Sequence, residues 1–335
     1  AIFQMKLLRM YFFPYANITQ NFNQRLNLVI ECGDLQISLL FSKCGNRKLT
    51  CIRVDMDIHL SDAEKVFIIH GAEEGMRADG RSLFDYRPII VETGVLATTN
   101  GSARVRLAST DLLIGVKAEL TVVEDFEHYR NRINFFVDCS ANATPLFVGR
   151  GGEDLAVEVT SALDVAYDNP YVLPDLKKLI LSPMHAWKLY VDIVILECGG
   201  NILDAAGIGV KAALRNTEIC NVIVRPADEG KCAIDLANDN TVWKMDVSRA
   251  PLFVSVHKLG EANLVDASLT EEACSRCTVS VAVSPTPECS QDGTMLNEED
   301  CIVTMVRQSG GGSLEMDSLG IILSDVFLII SLSHI

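Results

Sequence analysis

Two cysteines, Cys274 and Cys277, follow Glu271 and Glu272 in the run VDASLTEEACSRCTVSVAV. Such a pair can form a redox couple, supply half of a metal site, or sit where carboxylates once did chemistry. A redox couple needs its thiolate stabilised by a helix N-terminus and nearby positive charge, whereas this pair follows two acids and leads into a strand-like run. Zinc needs two further ligands, and the chain has no second Cys-x-x-Cys and no closely spaced His pair. The thiols are therefore expected to be structural, and no metal or other cofactor is expected.

The remaining candidates are weaker. Histidines 59, 70, 128, 185 and 257 have no neighbouring Ser/Asp or Cys that would make a triad. GRGGEDL, ECGGNILDAAGIG and SGGGSLE lack the phosphate-loop and dinucleotide patterns and suit tight turns. In VVEDFEHYRNRI, Arg130 and Arg132 stand beside Tyr129, His128 and Phe126. Arginine among stacking aromatics can grip single-stranded RNA without sequence preference; the alternative is a solvated hairpin of mixed charge.

With 335 residues, 49% hydrophobic and 22% charged, the chain can bury a large core and form two domains. Its eleven cysteines are scattered, several within apolar runs, which fits a reducing compartment better than a disulfide scaffold. The apolar ends, AIFQMKLLRMYFFPYA and IILSDVFLIISLSHI, are too short or too interrupted to span a bilayer, and no export signal is visible. A net charge of −15 repels polyanions at long range, so nucleic-acid contact must come from local patches or from partners. The charge is uneven: residues 1–55 carry seven basic and three acidic side chains, leaving −19 for the rest.

The elements that must hold these groups follow from periodicity. Ser61 and Asp62 cap a helix that runs through Glu64 and Val66 to a glycine stop. IIVETGVLAT, SARVRLAST with DLLIGVKAEL, and RINFFVDCSA read as an antiparallel meander. A four-turn helix begins at Glu153 and Asp154, with Leu155, Val157, Val159, Leu163 and Ala166 as its apolar positions. KKLILSP and WKLYVDIVILECGG read as strands, and NILDAAGIGVKAALRN as a helix whose Ala/Gly face suits close packing. Strands VIVRP, PLFVSVHKL, ANLVDAS, CTVSVAV and CIVTMVR follow, then a helix from about Ser313. LNLVIECGDLQISLLF supplies two short strands in the N-terminal extension. The pattern is α+β in two related halves.

In order along the chain, DGRSLFDYRPI, GSARVRLASTDLLIGVKAEL, FFVDCSANATP, GRGGEDL and LYVDIVILECGGNILDAAGIGVKAALRNT resemble the RNase PH family over residues 57–320. The resemblance implies an α+β RNase PH fold of the ribosomal protein S5 domain 2 type, with two βαβα halves at 56–220 and 221–320. It further implies a place in the six-membered ring of the eukaryotic exosome. Partners would be other RNase PH-fold subunits, S1/KH cap subunits, an associated hydrolytic nuclease and single-stranded RNA in the channel, in nucleus, nucleolus and cytoplasm and without a membrane. Residues 1–55 and 321–335 lie outside the resemblance and read as translated non-coding sequence, with Met56 the expected start.

Active members of that family degrade RNA from its 3′ end, with phosphate attacking the terminal phosphodiester. Where they carry Thr-Arg-Thr after a Gly-Gly turn, this chain has Asn201, Ile202 and Leu203, and Cys198 replaces the acid before the glycines. Of their two aspartates six residues apart, the first becomes Glu272 and the second Thr278. Losing one electrostatic contact to a transition state can cost about 100- to 1000-fold. The expectation is a catalytically silent subunit that completes a ring and guides RNA, with Arg130, Arg132, Tyr129 and Arg104 as RNA contacts, and Arg106 and Lys117 as lesser candidates. The alternative is a phosphate-dependent 3′–5′ exoribonuclease that uses Glu272.

Overall fold

In a computed structural model of the chain, residues 18–21, 25–32, 35–42, 60–122, 132–169, 171–182, 185–226, 232–236, 241–286, 301–312, 314 and 316–332 are described. Residues 1–51 and 52–335 form two separate compact units. The first contains a three-stranded antiparallel sheet of β1 (Ile18–Asn21), β2 (Arg25–Cys32) and β3 (Leu35–Ser42), one strand more than its apolar runs predict.

The second unit opens with α1 (Asp62–Glu73). Ser61 caps it: its hydroxyl accepts from the Glu64 N–H while the Glu64 carboxylate takes the Ser61 N–H at 2.8 Å. Next come β4 (Ile89–Thr93), β5 (Gly101–Leu107), β6 (Thr110–Val122) and β7 (Ile133–Cys139), then α2 (Glu153–Tyr167), β8 (Ile180–Ser182), β9 (His185–Glu197) and α3 (Ile202–Asn216). Two short hairpins pair β10 (Glu218–Cys220) with β13 (Val242–Lys244), and β11 (Val222–Pro226) with β12 (Cys232–Leu236). The chain ends with β14 (Leu252–Leu259), β15 (Ala262–Val265), α4 (Leu269–Cys274), β16 (Cys277–Pro285), β17 (Cys301–Gly310) and α5 (Met316–Leu332).

One sheet has six strands in the order β4-β5-β6-β9-β7, with β8 also on β9; the other runs β15-β14-β16-β17. The meander expected for the first sheet stops at β6. β7 pairs in parallel with β9, because α2 supplies the crossover that a parallel pair requires. Alternation sends Val105, Leu107, Leu112, Ile114, Val116, Val191 and Ile193 to one face, where they are at most 1% exposed. Burying each such side chain is worth roughly 1.5–3 kcal/mol.

α3 binds the two sheets together, touching β5 and β6 on one side and β14 on the other. Its small residues permit the approach: a Cβ on Gly209 would sit 2.5 Å from Ile114 Cδ1, and one on Gly207 would collide with Phe253. α2 buries Val159, Ala162, Leu163 and Ala166, but Val157, expected on its apolar face, points to solvent at 68% exposure. The division expected at residue 320 falls inside α5, whose Ile322, Leu323 and Val326 pack into the fold. Among the described residues, no helix is long and apolar enough to cross a membrane.

Candidate functional site

The site forms where β9 turns into α3. Gly200 (φ +94°) and Asn201 (φ +55°) take left-handed conformations in succession. A side chain at Gly200 would press on the Ala267 carbonyl at 2.6 Å, so the turn fits tightly against the loop after β15. That contact brings the start of α3 against the start of α4. The Asn201 N–H then donates to Glu272 Oε1 at 2.6 Å.

A polar network lies beneath. Asn201 Nδ2 donates to Asp204 Oδ2 (3.0 Å) and Asp266 Oδ1 (2.9 Å). Asp204 also accepts from Tyr86 Oη (2.9 Å) and from the Ser255 hydroxyl (2.8 Å) and N–H (3.1 Å). Arg87 forks onto Asp266 at 2.7–2.8 Å and reaches the carbonyls of Gly199 and Gly200; Arg81 adds a bond to Asp266 at 2.9 Å. Arg77 pairs with Glu271 at 2.6 Å and also holds the carbonyls of Val265 and Asp266. Glu271 in turn accepts the Ser268 N–H at 2.8 Å, closing the first turn of α4.

The arginine bonds fall on Asp266 and Glu271, with Arg81 also pairing with Asp79 at 2.6 Å. Burial raises Asp266 and Glu271, but hydrogen bonds from Arg87 and Arg77 outweigh it and hold both below their ordinary values. Glu272 and Asp204 have no such arginine bond. Burial pushes Glu272 up to about 7 and Asp204 to about 6.

Thr278 and His257 meet across the β14–β16 pair, with Oγ1 3.0 Å from Nδ1. His257 is 4% exposed; burial lowers it to about 4 against the upward pull of Glu271 and Asp266. Among the described residues its Nε2 has no hydrogen-bond partner, and it lies 4.0 Å from Glu272 Oε1. A cleft of about 180 Å³ opens here, lined by Glu158, Ile202, His257, Glu272, Thr278 and Arg307 among others. Among the described residues lining it, Arg307 is the cation, and it bonds the Glu158 carbonyl at 3.0 Å and carboxylate at 3.2 Å.

Asn201, Ile202, Glu272 and Thr278, chosen from the sequence, therefore converge on one cleft. His257, Asp204, Asp266 and the three arginines were missed. Cys277 lines the same cleft, but Cys274 and Cys277 are buried free thiols that burial raises, the opposite of what a redox or metal-binding thiolate needs. Cys198 is pushed up to about 12 for the same reason.

The expected RNA contacts do not gather there. Arg104 forks onto Asp111 at 2.6 and 3.0 Å, with Arg106 3.5 Å from the same carboxylate. Arg132 is 5% exposed and so is not a solvent-facing loop residue. Lys117 is exposed on β6. Tyr129 and Arg130 lie outside the described residues.

Residues 85–220 match the model of the 3′ exoribonuclease family, domain 1 (RNase PH). The chain is 34% identical over 208 residues to the exosome complex component Rrp42 of Thermococcus kodakarensis, covering 61% of this chain and 74% of that protein. It is 29% identical over 273 residues to the proposed exosome complex exonuclease RRP42 of Dictyostelium discoideum, covering 67% and 84%. Among solved structures, an archaeal exosome core subunit superposes with a TM-score of 0.63 at 22% identity, covering 80% of this chain and 94% of that one. A subunit of the Archaeoglobus fulgidus exosome with RNA bound to the active site gives 0.61 at 23%, covering 79% and 93%. The chain belongs to the RNase PH (3′ exoribonuclease) family and, within it, groups with the Rrp42-type exosome components.

Proposed function

We propose that this chain is a non-phosphorolytic ring subunit of an RNA exosome core, acting in 3′–5′ RNA processing by assembly and by guiding single-stranded RNA. Its neighbours are other RNase PH-fold subunits, with S1/KH cap proteins and a hydrolytic nuclease joining the same particle. The observation that carries the silent reading is the 2.6 Å bond from the Asn201 N–H to Glu272 Oε1. Phosphorolysis needs an open seat for phosphate and a cation to hold it. Here the first donor of α3 is spent on the chain's own carboxylate, Ile202 is apolar, and Arg307 is committed to Glu158.

One observation favours the alternative: Glu272, raised to about 7, could serve as a general acid on a leaving oxygen. Purified full-length chain incubated with 3′-labelled single-stranded RNA, inorganic phosphate and Mg²⁺ separates the two. We expect no nucleoside diphosphate above background. Release that disappears in E272Q would establish the enzyme instead. Co-purification of the tagged chain with other RNase PH-fold subunits tests the assembly; recovery of the chain alone would count against it.

A further inference from the structure

The middle of α1 is an unbroken apolar run, Val66, Phe67, Ile68 and Ile69. A surface helix needs one apolar stripe to hold it to the fold. Ile68 and Ile69 supply that stripe, packing against the cluster of Ala72, Leu259, Leu264 and Ala267. Val66 and Phe67 are turned to solvent instead, at 53% and 71% exposure. Ala63, Val66, Phe67, His70 and Glu74 are all exposed and fall at i, i+3, i+4, i+7 and i+11, so they line one continuous face. Gly71, one turn beyond Phe67, accepts the Met76 N–H at 2.7 Å, which brings a further exposed apolar residue to the end of this face.

The rim of the face is acidic. Asp62 and Glu64 stand at the N-terminal end of α1, Glu73 and Glu74 at the C-terminal end. Acids suit the start of a helix and oppose its end, where the dipole is negative. Glu64 is engaged by Ser61, and Glu73 takes the Glu261 N–H at 3.2 Å. Among the described residues, the Asp62 and Glu74 carboxylates have no ion-pair partner. Lys65, the lysine of this helix, sends its charge toward Cys274 in α4 rather than across the open face.

Charge decides what can cover such a surface. A second copy of this chain would set the same carboxylates against one another, and an anionic lipid surface would be repelled in the same way. A protein segment that carries apolar side chains between lysines or arginines answers both parts of the face. Phenylalanine is enriched in the cores of protein interfaces, where charged residues are depleted to the rim, and that is the layout here. Asp62 and Glu74 are separated by roughly 18 Å of helix, which about three turns of a partner helix would span.

We propose that the outer face of α1, centred on Phe67, is a docking site for a basic amphipathic segment of a protein partner. The inference does not depend on the ring reading, and its test needs no other subunit.

The test uses full-length chain at pH 8 and a fluorescently labelled synthetic helix of about fifteen residues, with Leu at i, i+3, i+4 and i+7 and Lys elsewhere, read by anisotropy. V66S/F67S is expected to weaken binding at least about tenfold with little change in Tm, since both side chains already face solvent. D62K/E74K should weaken it comparably. E153K/D154K, the same change of charge on the exposed start of α2, should leave it within about twofold. A peptide with Ser in place of Leu, or Glu in place of Lys, should bind at least about tenfold more weakly than the original. No binding by the full-length chain, equal binding by V66S/F67S, equal binding by either altered peptide, or an equal loss in E153K/D154K overturns the proposal. F67S alone repeats the measurement if the double variant folds poorly. If neither folds, the face belongs to the core and the proposal fails. Recovery of the tagged chain without other RNase PH-fold subunits would count against the ring reading alone, whereas peptide binding indifferent to Phe67 sinks only this one.

Discussion

Thr278 Oγ1 lies 3.0 Å from His257 Nδ1, directly across the β14–β16 pair. The register makes the meeting obligatory: His257 and Thr278 are opposed Cα partners, so their side chains share a face of the sheet. A hydroxyl at this position satisfies a neutral imidazole without adding charge.

The first prediction follows from that pairing. T278D places a carboxylate beside Nδ1, which should move the His257 titration upward from about 4 by roughly 1 to 3 pH units. Ring-proton NMR across pH 3–8 reads the change. On the proposed non-phosphorolytic reading, diphosphate release from labelled RNA should stay at background in T278D, because Glu272 still holds the Asn201 N–H.

A second prediction concerns acid stability. His257 is depressed in the folded chain relative to 6.5, so between pH 6.5 and about 4 the unfolded chain binds more protons. Stability therefore rises with pH across that window and is lost as pH falls through it, by at most about 3 kcal/mol from this group. H257Q removes the term. Urea unfolding at pH 7 and pH 5 should show a smaller loss in the variant; equal losses would mean that His257 is not the group responsible.

How far the site could be read from sequence depended on how local its signals are. Ser61 and Glu64 announce the start of α1, and the Ala/Gly face of α3 announces close packing, because both are written within one turn or one helix. Ser268-x-x-Glu271 carries the same capping signal for α4. The partnership of β7 with β9 was hidden, since apolar alternation reports a strand but not its neighbour. His257 looked isolated because its partner is 21 positions away and arrives only through strand register. The bonds from Arg77 to Glu271 and from Arg87 to Asp266 span 194 and 179 positions, and no short pattern records them.

The third prediction tests that long-range pairing. Arg77 and Glu271 are buried at 0% and 5% side-chain exposure and bond at 2.6 Å. R77M leaves Glu271 desolvated without its cation, a loss worth about 3–5 kcal/mol, while R77M/E271M should recover much of it. Chemical denaturation of the single and double variants measures the coupling, and a double variant as unstable as the sum of the singles would deny it.

The fourth prediction turns on the sign of the Glu272 titration. Its folded value is raised to about 7 from an ordinary 4.5, so the folded chain holds the proton more tightly and stability falls as pH rises through that window. The full shift would be worth about 3 kcal/mol, but with 26% of the side chain exposed, solvent screening reduces this to about 1–2 kcal/mol. E272Q carries no charge, and its amide oxygen can still accept the Asn201 N–H. The variant should therefore match the unaltered chain near pH 5 and exceed it at pH 8, where the buried carboxylate costs the most. A unit-by-unit pH series of unfolding free energies decides the matter: parallel curves for the two proteins would mean that Glu272 ionises at its ordinary value, and that the bond to Asn201 is made by a fully solvated anion.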